Sequence, residues 1–272
     1  MTIPWPDSGH SWPARGAEDP LVARLRAAGC VFAEEEARLL REAAHDGAEL
    51  EALAARRSGG EPLETVVGWA EFCGLRIVVE PGVFVPRRRS ELVAREAAAQ
   101  AAAAAPGAVV VDLCCGSGAI GAAVASAVPG IELHATDIDP ASVAVARRNI
   151  ARFGGHAHAG DLFSALPAGL RGRVAVIAAN APYVPSGEIA FMPPEARDYE
   201  PLAALDGGAD GTDLQRRVAA GAGEWLAPGG TLLIETSRRQ SRTTSALLAA
   251  AGFDARIVRD AEIDGTVAIG HR

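Results

Sequence analysis

The sequence of 272 residues contains no lysine, because all 26 of its basic residues are arginine. Enzymes that need a lysine, for a Schiff base or for a phosphate-binding loop, are therefore excluded. The chain also lacks a run of the roughly 18 to 20 apolar residues that a membrane span requires. Its first residues lack the basic start and apolar core of a signal peptide. We therefore expect a soluble, cytoplasmic protein without a membrane partner.

Cysteine is scarce, and negative charge outweighs positive charge. The four cysteines (Cys30, Cys73, Cys114 and Cys115) form neither a Cys-x-x-Cys pair nor a secreted disulfide framework, which favours a reducing compartment. The net charge of -8 provides no overall attraction for phosphate, so a nucleic-acid partner is disfavoured. Hydrophobic residues make up 49% of the chain, enough for one large domain and a small one.

Changes in hydrophobic periodicity divide the chain into four predicted regions. Residues 1–19 have no periodicity and are predicted to be a flexible tail. Residues 20–64 repeat apolar side chains three and four positions apart, which predicts a small helical domain. Residues 65–86 are rich in β-branched and aromatic side chains around Gly74, which predicts a linking β-hairpin. Residues 87–272 form the predicted large domain.

The large domain alternates predicted strands with predicted helices. Apolar runs at Val109–Leu113, Ile131–Thr136 and Val174–Ala178 indicate buried strands. Helical patterns cover Ala119–Ala127 and Pro140–Phe153, the second with proline in its first turn. This alternation is typical of a doubly wound parallel sheet, which binds ligands beyond the carboxyl ends of its strands. We therefore expect functional residues directly after strands.

A glycine-rich turn follows the first of these strands. Gly116 and Gly118 let the backbone approach a ligand, and Asp137 lies about 20 residues further on, as in nicotinamide dehydrogenases. The same residues fit a turn that admits the methionine part of S-adenosylmethionine, with Asp137 binding the ribose hydroxyls. A tight strand-to-helix turn without any ligand is a third interpretation.

A second carboxylate, Asp161, follows the next strand region. It could accept a hydrogen bond from the adenine amine while Leu162 or Phe163 packs on the ring, or it could simply cap a turn. His156 and His158 lie close to it in sequence, but no further ligand motif supports a metal site. We expect no metal.

The sequence Asn180-Ala181-Pro182-Tyr183 follows the predicted strand at Val174–Ala178. The Asn180 side-chain oxygen and the Ala181 carbonyl can accept the two hydrogens of a planar nitrogen, which aims its π-face at a methyl donor without a strong base. Tyr183 offers an aromatic wall. A proline-bounded turn whose asparagine bonds its own backbone is the alternative. Glu235, at the end of an apolar strand, either orients this loop or is buried with a structural partner.

With this loop the chain resembles the HemK-like protein-(glutamine-N5) methyltransferases, which modify the glutamine of the Gly-Gly-Gln loop in peptide-chain release factors. The similarity covers most of residues 20–271. It is carried by Gly68–Phe72 with Gly74–Arg76, Val85–Arg87 with Glu91, Asp112–Ile120, Asp137, Asp161, the Asn180 loop, Tyr199–Gly208 with Asp210 and Gly211, Leu226–Gly230, Glu235 and Gln240.

The resemblance implies an α/β fold with a Rossmann-like, seven-stranded class I methyltransferase sheet and a terminal antiparallel strand. It implies a helical N-terminal domain that recognises the substrate. S-adenosylmethionine is the implied cofactor, S-adenosylhomocysteine the product, and a release factor the protein partner of a monomeric enzyme. The implied catalytic residues are Asn180, Ala181, Pro182 and Tyr183, and the implied substrate-binding residues are Pro86, Arg87 and Tyr183. The implied cofactor-binding residues are Asp112, Cys114, Gly116, Gly118, Asp137, Ile138, Asp161, Leu162 and Asn180.

Three features depart from the family pattern. Ala181 stands where the family usually has proline, and Cys114 stands where it has glycine. Arg88 and Arg89 replace a common Pro-Glu pair, which changes the charge beside the expected substrate entrance. Two alternative functions stay open at this point: methylation of adenine N6 in nucleic acid, and a cofactor-binding module that no longer catalyses.

Overall fold

The computed structural model describes residues 19–272, and the chain divides into two compact units between Val67 and Gly68. The predicted flexible tail, residues 1–19, lies outside the described residues except for Asp19. The side chain of Asp19 accepts a hydrogen bond from the Leu21 backbone N–H and caps the first helix. None of the helices in the described part is both long and apolar enough to cross a bilayer.

The smaller unit is helical and has its own core. Leu25 and Leu40 are completely buried in it, and Asp46 caps its third helix by accepting from the Glu49 N–H. An ion pair between Arg57 and Glu36, with Nε and Oε2 2.6 Å apart, is also buried. The helices described in this unit are α1 (Pro20–Ala27), α2 (Ala33–Ala43), α3 (Gly47–Ser58) and α4 (Leu63–Val67).

A two-stranded hairpin opens the larger unit. Strands β1 (Trp69–Phe72) and β2 (Leu75–Val78) pair antiparallel, and Gly74 takes a positive φ of 72° in the turn between them. Asn149 anchors the hairpin, because its side chain accepts from the Val78 N–H and donates to the Val78 carbonyl. The same amide donates to the Ser117 carbonyl, so it also fixes the glycine-rich turn.

The rest of the larger unit contains a seven-stranded sheet, as counted within residues 19–272. Its strands are β3 (Val109–Leu113), β4 (Glu132–Asp137), β5 (His156–Ala159), β6 (Val174–Ala179), β7 (Leu226–Glu235), β8 (Asp254–Asp260) and β9 (Gly265–His271). Their order in the sheet is β5-β4-β3-β6-β7-β9-β8. All neighbours are parallel except that β9 is antiparallel to β7 and β8, which confirms the predicted α/β sheet with a terminal antiparallel strand. The helices of this unit are α5 (Glu91–Ala103), α6 (Ala119–Ala127), α7 (Pro140–Ile150), α8 (Pro194–Tyr199), α9 (Asp213–Trp225) and α10 (Ser241–Ala250).

Strand alternation places one hydrophobic layer on each face of this sheet. Val110 and Val176 face a layer that includes α5, α6 and α7, whereas Val111 and Ile177 face α9 and α10. Strand β4 begins and ends one residue later than the predicted Ile131–Thr136. Helix α7 was predicted to reach Phe153 but ends at Ile150, because residues 151–153 form a 3-10 turn. The strand order reverses between β3 and β6, and ligands of such sheets bind at that point.

Candidate active site

A cavity of about 490 Å³ lies at the carboxyl ends of β3, β4 and β6. All of its lining residues belong to the larger unit. Twelve of the residues expected at the site line it: Pro86, Arg87, Cys114, Gly116, Asp137, Ile138, Asp161, Leu162, Asn180, Ala181, Pro182 and Tyr183. Asp112 and Gly118 do not.

Asp112 and Gly118 stand on either side of the glycine-rich turn's tip, Asp112 within β3 and Gly118 directly before α6. The Asp112 carboxyl is buried and accepts from the Gly121 N–H at 2.8 Å, so it holds the start of α6, and burial raises its pKa to about 8. Gly118 has a φ of 76°, and a Cβ there would approach the Ala146 Cβ to 3.0 Å. Asp112 therefore holds the start of α6, and Gly118 lets the turn pack closely against α7.

Cys114 meets the cavity in a backbone conformation that favours glycine. Its φ is 58°, within the left-handed region, and Gly116 nearby has a φ of 52°. Burial raises the pKa of the Cys114 thiol, so the side chain stays neutral and acts as a small apolar group.

Asp137 is held at the end of β4 by two backbone N–H groups. Its Oδ2 accepts from Gly116 at 2.8 Å, and its Oδ1 accepts from Asp139 at 3.0 Å. Burial raises the pKa of this carboxyl, while backbone hydrogen bonds from Asp139, Gly116 and Ile138 lower it. A carboxylate has about four acceptor positions, so it can still accept from a ligand hydroxyl. The next residue, Ile138, leaves its apolar side chain 62% exposed at the cavity.

Asp161 faces the cavity together with Leu162. The Asp161 side chain makes no capping bond to the 3-10 turn that follows, so the simple cap that the sequence allowed is absent. Its Oδ2 instead accepts from Arg217 on α9 at 2.5 Å. Phe163 does not line the cavity, because its ring stacks on Trp225 in the core, with centroids 6.0 Å apart. Arg217 had no local signal in the sequence, since it follows Asp161 by 56 residues.

The Asn180 loop is fixed by side chains from distant parts of the chain. The Asn180 side-chain N–H donates to Ser90 Oγ at 3.3 Å, and the Tyr183 hydroxyl donates to Glu235 Oε1 at 3.1 Å. Gln240 donates to the Tyr183 carbonyl at 2.9 Å. Ala181 is completely buried. In this arrangement the side chain of Asn180 reaches a neighbouring element, whereas the alternative interpretation required a bond to its own backbone.

Three arginines line the cavity: Arg217 pairs with Asp161, while Arg87 and Arg89 each contact a buried glutamate. Arg89 Nε donates to Glu235 Oε1 at 3.4 Å, and its guanidinium lies 5.9 Å from the centre of the Tyr183 ring. Arg87 donates to Glu200 Oε1 at 2.6 Å. The sequence marked Arg89 only as a change of charge, and its pairing with Glu235 follows from the fold.

The imidazoles of His156 and His158 pack around His134 and away from the cavity lining. Within residues 19–272 no group of three or more histidine, cysteine, aspartate or glutamate side chains is placed to hold a metal ion.

Similarity to known proteins agrees with this geometry. Residues 74–191 match the family model described as Methyltransferase small domain. A release factor glutamine methyltransferase from Geobacter sulfurreducens is 39% identical over 203 residues, which cover 74% of this chain and 69% of that protein. Another, from Bradyrhizobium diazoefficiens, is 35% identical over 271 residues and covers 91% of this chain and 90% of that protein. The chain belongs to this methyltransferase family.

As a family member the chain is an N-methyltransferase with a class I Rossmann-like sheet, and its cofactor is S-adenosylmethionine. The cavity fits this cofactor, because Asp137 offers a free acceptor position beside the apolar surfaces of Ile138 and Leu162. A further relative, the 4-amino-L-phenylalanine/4-methylamino-L-phenylalanine methyltransferase of Streptomyces pristinaespiralis, is 36% identical over 203 residues, covering 72% of this chain and 68% of that protein.

Proposed function

We propose that the protein transfers a methyl group from S-adenosylmethionine to the side-chain amide nitrogen (N5) of a glutamine in the Gly-Gly-Gln loop of a peptide-chain release factor. The observation that carries this proposal is the Asn180–Tyr183 loop at the cavity, where an amide side chain and a main-chain carbonyl stand beside an aromatic ring. The names of the similar release factor methyltransferases support it.

The cofactor would be held by the residues after β3, β4 and β5. Asp137 would accept from both ribose hydroxyls and Asp161 from the adenine amine, with Ile138 and Leu162 on the ring. Cys114 and Gly116 would face the methionine part, in the turn that Asp112 and Gly118 shape. The bound cofactor supplies an electrophilic methyl group on a sulfonium sulfur.

The catalytic residues would orient the acceptor nitrogen. Asn180 Oδ1 and the Ala181 carbonyl would each accept a hydrogen bond from the glutamine amide NH₂. These two hydrogen bonds fix the plane of the amide, and they become stronger as positive charge develops on the nitrogen. Pro182 restricts residue 181 to extended backbone, and Tyr183 forms the wall behind the amide. The surplus proton leaves to solvent once the nitrogen is methylated, so none of the residues in the loop needs to act as a strong base.

The remaining parts of the proposal concern the partner. Pro86 and Arg87 line the cavity and would contact the release-factor loop, and the helical region at residues 20–64 would recognise the rest of that protein. The enzyme would act as a monomer. It would be located in the cytoplasm, where release factors are found.

A second candidate function is methylation of a small aromatic amine. A relative named for the methylation of 4-amino-L-phenylalanine is as similar to this chain as several of the release factor enzymes. An aromatic amine is planar and has two hydrogens, so the same pair of acceptors would hold it.

The test is to incubate the purified protein with methyl-labelled S-adenosylmethionine and with release factors, 4-amino-phenylalanine, total RNA or duplex DNA. We expect a gain of about 14 Da, one methyl group, on the Gly-Gly-Gln peptide and none on a release factor whose loop glutamine is replaced by alanine. The Asn180→Ala variant should lose turnover and keep cofactor affinity. Label only in the amino acid or only in nucleic acid would overturn the proposal.

A further inference from the structure

The orientation of the Asn180 side chain decides whether this site can hold an amino group. The two ends of a carboxamide have almost the same shape, but one accepts hydrogen bonds and the other donates them. Only the orientation with Oδ1 toward the cavity offers an acceptor to a substrate nitrogen. The loop sequence does not select this orientation, so a neighbouring group has to do so.

Ser90 is the neighbour that Asn180 contacts. It is 2% exposed, and its Oγ accepts from Asn180 Nδ2 at 3.3 Å. Ser90 directly precedes α5, where a serine side chain typically caps the helix by accepting a backbone N–H. Here the Ser90 side chain makes no capping bond. Its hydroxyl is therefore committed to Asn180 and not to the helix.

Glu235 determines which group donates and which accepts in the contact between Ser90 and Asn180. Its side chain is 1% exposed, and Tyr183 and Arg89 both donate to its Oε1. Burial raises the pKa of this carboxyl, and the neighbouring Ser90 hydroxyl lowers it. The other oxygen, Oε2, is buried without a hydrogen-bond partner among the described residues. An ionised carboxylate only accepts, so when Glu235 is ionised the single hydrogen of the neighbouring Ser90 hydroxyl is drawn to its unpartnered oxygen. Ser90 Oγ then presents only lone pairs to Asn180, and Asn180 must face it with its NH₂ group.

We propose that Ser90 and Glu235 are positioning residues that hold the Asn180 amide with its oxygen toward the acceptor nitrogen, through the chain Asn180 N–H to Ser90 and Ser90 O–H to Glu235. This inference rests on the proposed function for its catalytic consequence. The geometry that carries it is a buried serine that makes no helix cap and accepts from Asn180, together with a buried carboxylate that has one unpartnered oxygen. It is independent of which acceptor is methylated.

Nuclear magnetic resonance can test the chain without any substrate. The protein contains two asparagines, Asn149 and Asn180, so asparagine-labelled protein gives two side-chain NH₂ signals, and the pair lost in Asn180→Asp identifies Asn180. In Ser90→Ala we expect the Asn180 NH₂ to exchange with water about tenfold faster, the equivalent of one lost hydrogen bond, whereas Ser90→Thr keeps the hydroxyl and the wild-type rate. The Asn149 pair is an internal control, since it bonds the Val78 and Ser117 carbonyls.

Two further measurements examine the role of Glu235. Burial raises the pKa of its carboxyl, so the wild-type Asn180 signal should shift as the pH falls through a value above that of an ordinary glutamate. Glu235→Gln should abolish this shift, because glutamine does not titrate. Thr231→Val serves as a matched control: it removes another buried hydroxyl with hydrogen-bond partners, at the opposite end of the sheet, and should change nothing at Asn180.

Kinetics connect the chain to catalysis. With the acceptor identified, Ser90→Ala and Glu235→Gln should lower kcat by about ten- to a hundredfold with cofactor Kd unchanged, and Ser90→Thr should restore kcat. Wild-type kcat should fall as the pH is lowered through the Glu235 pKa, because a protonated carboxyl no longer sets the direction of the chain. The acid limb should be absent in Glu235→Gln.

The outcomes separate the two proposals. If the wild type methylates no release factor but the Asn180 signal responds to Ser90→Ala and to pH as stated, the proposed function fails and the positioning chain stands. If Ser90→Ala leaves the Asn180 signal and kcat unchanged, the positioning chain is wrong whatever the acceptor is. Should Ser90→Ala not fold, a wild-type Asn180 signal that does not respond to pH between 4 and 9, about the range where a buried carboxyl titrates, overturns it.

Discussion

At the scale of single residues, the cofactor pocket holds two non-glycine side chains on left-handed backbone. Cys114 has a φ of 58° and Leu162 a φ of 48°, and both line the cavity. Such a conformation costs an ordinary L-residue about 1–2 kcal/mol. Strain of this kind concentrates at binding sites, where the rest of the fold maintains it. At Cys114 the strain coincides with a position where the family pattern has glycine.

Replacement of Cys114 by glycine and by alanine should separate backbone strain from the packing of the thiol. Both variants lose the thiol, but only glycine relieves the left-handed conformation. We expect Cys114→Gly to be more stable than Cys114→Ala by about 1 kcal/mol in urea unfolding. Cofactor affinity, measured by calorimetry, should be higher in Cys114→Gly than in the wild type, because the methionine part meets one side chain fewer.

The adjacent cysteine is the matched control. Cys115 is buried and is not among the residues with positive φ, so glycine there only adds freedom to the unfolded chain. Cys115→Gly should therefore be less stable than Cys115→Ala by about 0.5–1 kcal/mol, which is the opposite order. The same order at both positions would show that backbone strain at Cys114 does not affect stability.

Sequence predicts site residues well where they immediately follow strands, and poorly where distant segments meet. Asp137 and Asn180 each follow a recognisable apolar run, so their common location could be expected. The strand before Asp161, His156–Ala159, is not such a run. Ser90 contacts Asn180 across 90 residues, and no local pattern in the chain records that contact.

At the scale of elements, the outer wall of the cavity is the segment of residues 186–205, which contains α8 and two 3-10 turns. Glu200 fixes the end of this wall segment. Its side chain is 1% exposed, and its Oε1 accepts from the Val85 N–H at 3.2 Å and from Arg87 at 2.6 Å. A hydrogen bond to a charged group contributes about 1.5–3 kcal/mol, more than most surface contacts.

Glu200→Gln should therefore loosen the wall segment. The amide keeps an acceptor for the Val85 N–H but loses the ionic contact with Arg87. We expect the free energy of unfolding to fall by about 1–2 kcal/mol. This is less than the full value of a charged hydrogen bond, because Arg87 is partly exposed and solvent weakens its contact with Glu200. KM for the methyl acceptor should rise and proteolytic cleavage within residues 186–205 should accelerate, with cofactor Kd unchanged within about twofold.

Asp198→Asn is the control within the same segment. Asp198 pairs with Arg197, but both side chains are exposed, and exposed pairs contribute little. This variant should match the wild type in stability and KM. Equal effects of the two substitutions would mean that any change of charge in the wall segment matters, and the buried contact with Arg87 would lose its special role.

The more deeply a helix or strand is buried, the more accurately its bounds could be predicted from the sequence. β3 and β6 are continuous apolar runs because helices cover both faces of the sheet, and their bounds were expected to within one residue. Residues 186–205 contain three prolines and short turns without a hydrophobic period, so their path depends on side-chain contacts such as those of Glu200.

At the scale of the whole molecule, the chain has two cores of very different size. The helical unit has one small cluster around Leu25 and Leu40, while the larger unit buries a layer on each face of its sheet. A small unit buries a smaller fraction of its surface and is correspondingly less stable. The cavity lies wholly within residues 68–272. Family similarity predicted both units, but it did not predict how their stabilities relate.

Cofactor binding should therefore protect one unit and not the other. Any ligand that binds only the folded state stabilises it, by about 2.7 kcal/mol at 100 times Kd. With S-adenosylhomocysteine at that concentration, we expect amide hydrogen exchange in β3, β6 and β7 to slow by up to about a hundredfold, while peptides from residues 33–58 exchange at the free rate. Asp137→Ala should remove the protection, because it lacks the carboxylate for the ribose. Protection of α2 and α3 to the same extent as β6 would instead mean that the two units unfold together, and the helical unit would then depend on the cofactor for its stability.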